Sequence, residues 1–159
     1  MKSLIWFRND LRIDDNPALK NACLESDEVH AIYIFSSKQN YIHNEANCKI
    51  EFVIENLKSL DQVLSKINIP LTIIDSVGFD DNSHIILNLV KERSLNKVFW
   101  NNQFGKDEQK RDELAIRSFK QHDIKFSSYD EKVIYPPGSI RTVEDKPYSV
   151  FTPFKKKVG

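Results

Sequence analysis

The chain has 159 residues, 40% hydrophobic and 29% charged, with 23 basic and 23 acidic side chains. That length suits one domain able to bury about two-thirds of its unfolded surface without disulfides or metal. The zero net charge lacks the basic excess usual in a stand-alone nucleic-acid binder. No apolar run approaches the ~18 residues of a membrane span. The apolar start is too short and lacks the cleavage-like region of a secretory signal, so no membrane is expected and the expected location is cytoplasmic.

Leu4-Ile5-Trp6-Phe7 has no polar alternation and reads as a strand buried on both faces. Arg8, Asp10, Arg12, Asp14 and Asp15 then crowd charge of both signs into one loop. An ordinary strand-to-helix loop takes about 2–6 residues, so this one is longer and more charged than closure requires. Asn16 before Pro17 is a helix N-cap with proline at the first helical position. The helix over 17–25 places Leu19, Ala22 and Cys23 on one stripe. Cys23 is therefore expected to be a buried free thiol; it is remote from Cys48, and no C-x-x-C occurs.

A second strand covers 29–35, and a polar loop follows over 36–44. The longest helix covers 45–66, with Ile50, Val53, Ile54, Leu57, Leu60, Leu64 and Ile67 at the 3.6 period. A third strand runs over 71–74. The next helix, 80–93, turns Ile85, Ile86, Leu89 and Val90 inward and has Asp80 or Asp81 as its N-cap. A fourth strand at 97–100, a polar loop, a helix over 107–122 burying Leu114, Ala115 and Phe119, and a fifth strand at 124–127 complete the series. The βαβαβαβαβ order predicts an α/β fold, a Rossmann-like, doubly wound five-stranded parallel sheet with helices on both faces. It occupies residues 1–128. Residues 129–159 read as an extended linker, proline-rigid around 133–138 and strongly aromatic over 148–154. That aromatic piece either wraps back over this domain or is covered by another body.

In doubly wound sheets, ligands bind beyond the carboxyl ends of the strands where strand order reverses. With the first strand central, the loops 8–15, 36–44 and 101–108 converge there. With four glycines, none after the first strand, the chain has no G-x-G-x-x-G and no P-loop. Ser36 and Ser37 offer hydroxyls to a phosphate, although their composition better suits a plain polar loop. His30, His84 and His122 read as structural, while His43 lies in a converging loop. The histidines show no metal-ligand spacing with cysteines or carboxylates. No Ser/His/Asp or Cys/His arrangement suggests a nucleophile, so no catalytic residue is assigned. Asp107 and Glu108 meet the positive end of a helix. Glu108 is also suited to accept hydrogen bonds from the N–H and amino groups of a pterin- or guanine-like edge.

Trp6-Phe7-Arg8-Asn9-Asp10-Leu11-Arg12-Ile13-Asp14-Asp15-Asn16-Pro17-Ala18-Leu19 closely resembles the opening of the DNA photolyase/cryptochrome family. The match continues at Asn101-x-Gln103 with its acidic pair, at Tyr135-Pro136-Pro137-Gly138 and at Val150-Phe151-Thr152-Pro153-Phe154. The resemblance implies an N-terminal antenna-binding domain of a cyclobutane pyrimidine dimer photolyase, Asp10 favouring that branch over cryptochromes. It implies a methenyltetrahydrofolate antenna, held by Glu108 with Asp107 and His43 beside it. Asp107 stands where folate-binding members often carry Asn. The resemblance further implies that Arg8, Asp10, Arg12 and Asp14 form an ion-paired network facing a larger helical domain. That domain carries FAD and contacts damaged DNA, and without it this chain is expected to be inactive. The alternatives are a cryptochrome-like light-signalling domain and a stand-alone nucleotide-binding module of the same fold.

Overall fold

The computed structural model describes residues 1–36, 44–76, 78, 81–135 and 137–158. They divide into two compact units, Met1–Tyr129 and Asp130–Gly159.

The first unit is a five-stranded sheet in the order β3-β2-β1-β4-β5, every neighbouring pair parallel. The strands are β1 (Lys2–Phe7), β2 (Glu28–Phe35), β3 (Leu71–Asp75), β4 (Lys97–Asn101) and β5 (Lys125–Tyr129). The helices between them are α1 (Pro17–Glu25), α2 (Asn47–Lys66), α3 (Asn82–Glu92) and α4 (Lys106–Gln121). The expected architecture is thus present, with β1 central. Alternate residues of β1 feed two cores. Leu4 and Trp6 pack with Ile86, Leu87, Val90, Ala115 and Phe119 of α3 and α4. Ile5 and Phe7 pack with Ala18, Leu19, Ala22, Leu60 and Leu64 of α1 and α2. Both faces of the strand are covered, which is why its sequence shows no polar alternation.

Asn16 caps α1 through its side-chain oxygen on the Leu19 N–H at 3.0 Å, with Pro17 at the first position. The buried stripe of α1 is Ala18, Leu19 and Ala22. Cys23 is exposed, contrary to the expectation of a buried thiol. One residue advances about 100° round a helix, enough to carry it off the edge of that narrow stripe. Asp81 holds the N-cap position of α3 but makes no side-chain cap bond, and Asp80 lies outside the described residues.

In α2, burial follows the expected period only over Leu57, Leu60 and Leu64. Phe52 is 68% exposed, Ile54 41% and Ile67 48%. A 20-residue helix is about 30 Å long, whereas a five-residue strand spans roughly 17 Å. The amino half of α2 therefore overhangs the carboxyl edge of the sheet.

The second unit is partly helical where an extended segment was expected: α5 covers Phe151–Val158. Pro153 falls in its first turn, where no intrahelical N–H bond is lost. Tyr148 and Phe151 each place a ring against Phe154, with centroids 6.1 and 6.4 Å apart. Before it, Arg141 donates to the Gly138 and Asp145 carbonyls, both at 2.9 Å. Gly138 takes a positive φ of 78°, which glycine adopts at no steric cost.

Candidate functional site

Beyond the carboxyl ends of β1, β2 and β4 lies a cleft of about 630 Å³. Its floor and walls come from the loop after β1, the end of β2, the amino half of α2, and the start of α4. Strand order reverses at β1 and β4, so the cleft sits where this architecture places ligands.

Asp10, in the cleft's lining, belongs to a polar network that joins three elements behind it. Asp10 accepts from the Arg8 backbone N–H at 2.8 Å and from the Asn101 side-chain amide at 2.7 Å. Asn101, at the end of β4, also donates to Asn16 Oδ1 at 2.8 Å and accepts from the Ala18 N–H at 3.1 Å. The Asn16 amide reaches Asp10 and the Arg12 carbonyl. The first loop is thus tied to the start of α1 and the end of β4 by amides.

Arg8 is paired from elsewhere. Its Nη1 donates to Asp112 Oδ1 at 2.9 Å, and its Nη2 donates to the Asn101 carbonyl. Arg111 Nε and Nη2 donate to the same Asp112 oxygen at 3.0 and 2.8 Å, and Nη2 also reaches Gln103 at 2.9 Å. Both guanidinium groups lie against Trp6, at 4.8 and 5.0 Å from its ring centroid. Burial, then repulsion from Arg111, pulls the Arg8 pKa down to about 10 against the opposing pull of Asp112 and Asp10. Arg12 donates to the Asp15 carbonyl at 2.7 Å. Asp14 is exposed and forms no hydrogen bond or ion pair among the described residues. The Arg8 guanidinium therefore finds its hydrogen-bond partners outside the opening motif. Arg8 and Asp10 are anchored by Asp112, Asn16 and Asn101, and Asp14 stands apart.

Glu108 and Asp107 both line the cleft, Glu108 half-buried and Asp107 exposed. Glu108 has no hydrogen bond or ion pair among the described residues. Its carboxylate folds back over Gly105, where an added Cβ would collide with it. His43 and Ser37 lie outside the described residues. Ser36 is buried, with its hydroxyl 2.9 Å from that of Ser76. His30 is bracketed by Glu28 at 2.7 Å and Arg93 at 2.9 Å, away from the cleft. Among the described residues no group of three His, Cys, Asp or Glu is placed to hold a metal.

Sequence reasoning missed Arg111, Asp112, Tyr33 and the α2 wall. A signal existed for the first two. Ala115 and Phe119 mark the inward face of α4, and stepping back by three and four residues from Ala115 lands on Asp112 and Arg111. Charges on a core-facing stripe are the feature to notice.

The sequence matches the family model "DNA photolyase" over residues 3–159. It is 36% identical to a deoxyribodipyrimidine photo-lyase of Vibrio cholerae over 153 residues, covering 96% of this chain and 33% of that protein. The corresponding enzyme of Escherichia coli is 35% identical, with 96% and 32% covered. The fold matches an archaeal photolyase structure from Sulfolobus tokodaii with a TM-score of 0.80 at 22% identity, over 99% of this chain and 34% of that one. The chain belongs to the DNA photolyase family. Within it, the chain corresponds to the N-terminal α/β portion and spans about a third of the length of the curated relatives it matches.

Proposed function

We propose that this chain is the antenna-binding domain of a cyclobutane pyrimidine dimer photolyase, and that its cleft takes a methenyltetrahydrofolate-type chromophore. The observation that carries the reading is Glu108, a half-buried carboxylate facing the cleft with no protein donor among the described residues. A pterin edge presents the N–H and amino donors such an acceptor lacks. The volume falls within the about 300–1,000 Å³ of small-molecule sites. The lining sets the apolar faces of Ile50, Phe52, Val53 and the ring of Tyr33 beside many polar and charged groups, so a heteroaromatic ligand finds both ring contacts and hydrogen-bond partners. Bound there, the chromophore would collect light and pass excitation onward.

In that reading the acceptor of the excitation is FAD in a helical domain, which binds damaged DNA and repairs the flipped-out dimer. This chain supplies the grip: Glu108 and Asp107 orient the ring edge, and the Arg8–Asp112–Arg111 group fixes the floor. His43 remains the proposed neighbour of the ring from the loop after β2.

The test is an absorbance titration of the purified chain with methenyltetrahydrofolate, with FAD and AMP run in parallel. Binding near micromolar that is lost in Glu108→Ala is the expected result. AMP binding without folate binding would replace this reading with that of a nucleotide-binding module.

A further inference from the structure

We infer that Gly105 is a positioning residue for the cleft: the missing side chain at 105 sets where the Glu108 carboxylate stands. The inference rests on the reading of Glu108 as the ligand acceptor and goes one step behind it. Gly105 is the N-cap residue of α4, with φ −65° and ψ 149°. Those angles are ordinary extended backbone that any L-residue adopts, so the glycine is not required by its own conformation. Nor does it contribute a side-chain cap, and serine, aspartate or asparagine would serve better there. What the position does require is space. A Cβ at 105 would collide with the Glu108 carboxylate, whose atoms are the nearest side-chain atoms to that point.

The collision involves the far end of a flexible side chain and no backbone. An alanine at 105 therefore displaces the carboxylate and leaves the fold intact. The displaced group leaves its place over Gly105 for another position beside the cleft it lines. A ring edge held by paired hydrogen bonds tolerates about 0.5 Å of misplacement in its acceptor, and a shift of roughly one carbon diameter exceeds that. Gly105 thus acts on the ligand through Glu108, without touching the ligand itself.

The experiment compares the wild-type chain with Gly105→Ala in the methenyltetrahydrofolate titration, in thermal melts, and in nuclear Overhauser spectra of the ligand-free proteins. The expected result is at least a ~10-fold weaker folate affinity in Gly105→Ala, an unchanged melting curve, and contacts from Glu108 Hγ to the Gly105 Hα protons that vanish in the variant. Wild-type affinity in Gly105→Ala overturns the inference. So does a wild-type spectrum without the 105–108 contacts, and that readout needs no ligand. Failure of the wild-type chain to bind folate, with those contacts present, instead removes the reading of the cleft as a folate site. The carboxylate-positioning role of Gly105 then stands on the ligand-free spectra alone.

Discussion

Asp112 lies behind the cleft and ties together Arg8 and Arg111, two residues that line it. One of its oxygens accepts from Arg8 Nη1 and from Arg111 Nε and Nη2. All three residues are buried, with Arg8 and Arg111 each 5% exposed. Removing one partner of such a group leaves charge in a poorly solvated place, which is strongly destabilising. Asp112→Asn is expected to lower stability by roughly 3–5 kcal/mol in urea unfolding. A loss below about 1 kcal/mol would mean that the guanidinium groups are solvated or paired without it.

Tyr33 gives the cleft a pH signature. Burial pushes its phenol above the ordinary value, against a smaller opposing pull from Arg111. A folded-state pKa raised in this way contributes stability that is fully present below the unfolded value of about 10. That contribution is lost as pH rises through the folded value. Tyr33 should therefore give a step above the ordinary phenol range in a 295 nm alkaline titration, and Tyr33→Phe should remove that late step. A late step that survives in the variant assigns the buried phenol to another tyrosine.

At the scale of elements, α2 shows what periodicity can and cannot reveal. The 3.6 spacing identifies which residues share a face, and the helix forms within two residues of the expected start. It carries no information on how far the opposing layer extends. The strands are short, so the face buries Leu57, Leu60 and Leu64 and leaves Phe52 and Ile54 beyond the sheet's edge. The functional consequence is a wall for the cleft built from an overhanging helix. Leu60→Ala should therefore lower stability by about 2–5 kcal/mol, while Phe52→Ala should change it by no more than about 0.5 kcal/mol. Equal losses for the two variants would contradict the overhang. The N-cap of α1 was legible because Asn-Pro is a local signal read within one turn. The absence of a cap bond from Asp81 was not, since composition at α3 offered the right residue type without its geometry.

Across the whole molecule, sheet order was legible because each strand and helix carries its own period and propensity, and parallel crossovers leave few topologies to choose from. The convergence of the loops after β1 and β4 on one cleft followed from that order. The internal wiring of the cleft did not follow. The charges of the opening motif suggest mutual pairing, yet Arg8 is held by Asp112, 104 positions away, and Asp10 by Asn101, 91 positions away. Pairings over such separations are fixed by packing, and sequence proximity is a poor guide to them. No described helix is long and apolar enough to cross a membrane.

A folate-type chromophore in the proposed site enters the cleft and meets Glu108. The most direct measurement is a methenyltetrahydrofolate titration followed by amide chemical shifts in the isotopically labelled chain. Binding at the proposed site perturbs residues 8–12, 33–36 and 103–111, and Glu108→Ala abolishes those shifts. Shifts confined to the amino ends of the strands, or a full set of cleft shifts that persists in Glu108→Ala, would contradict it.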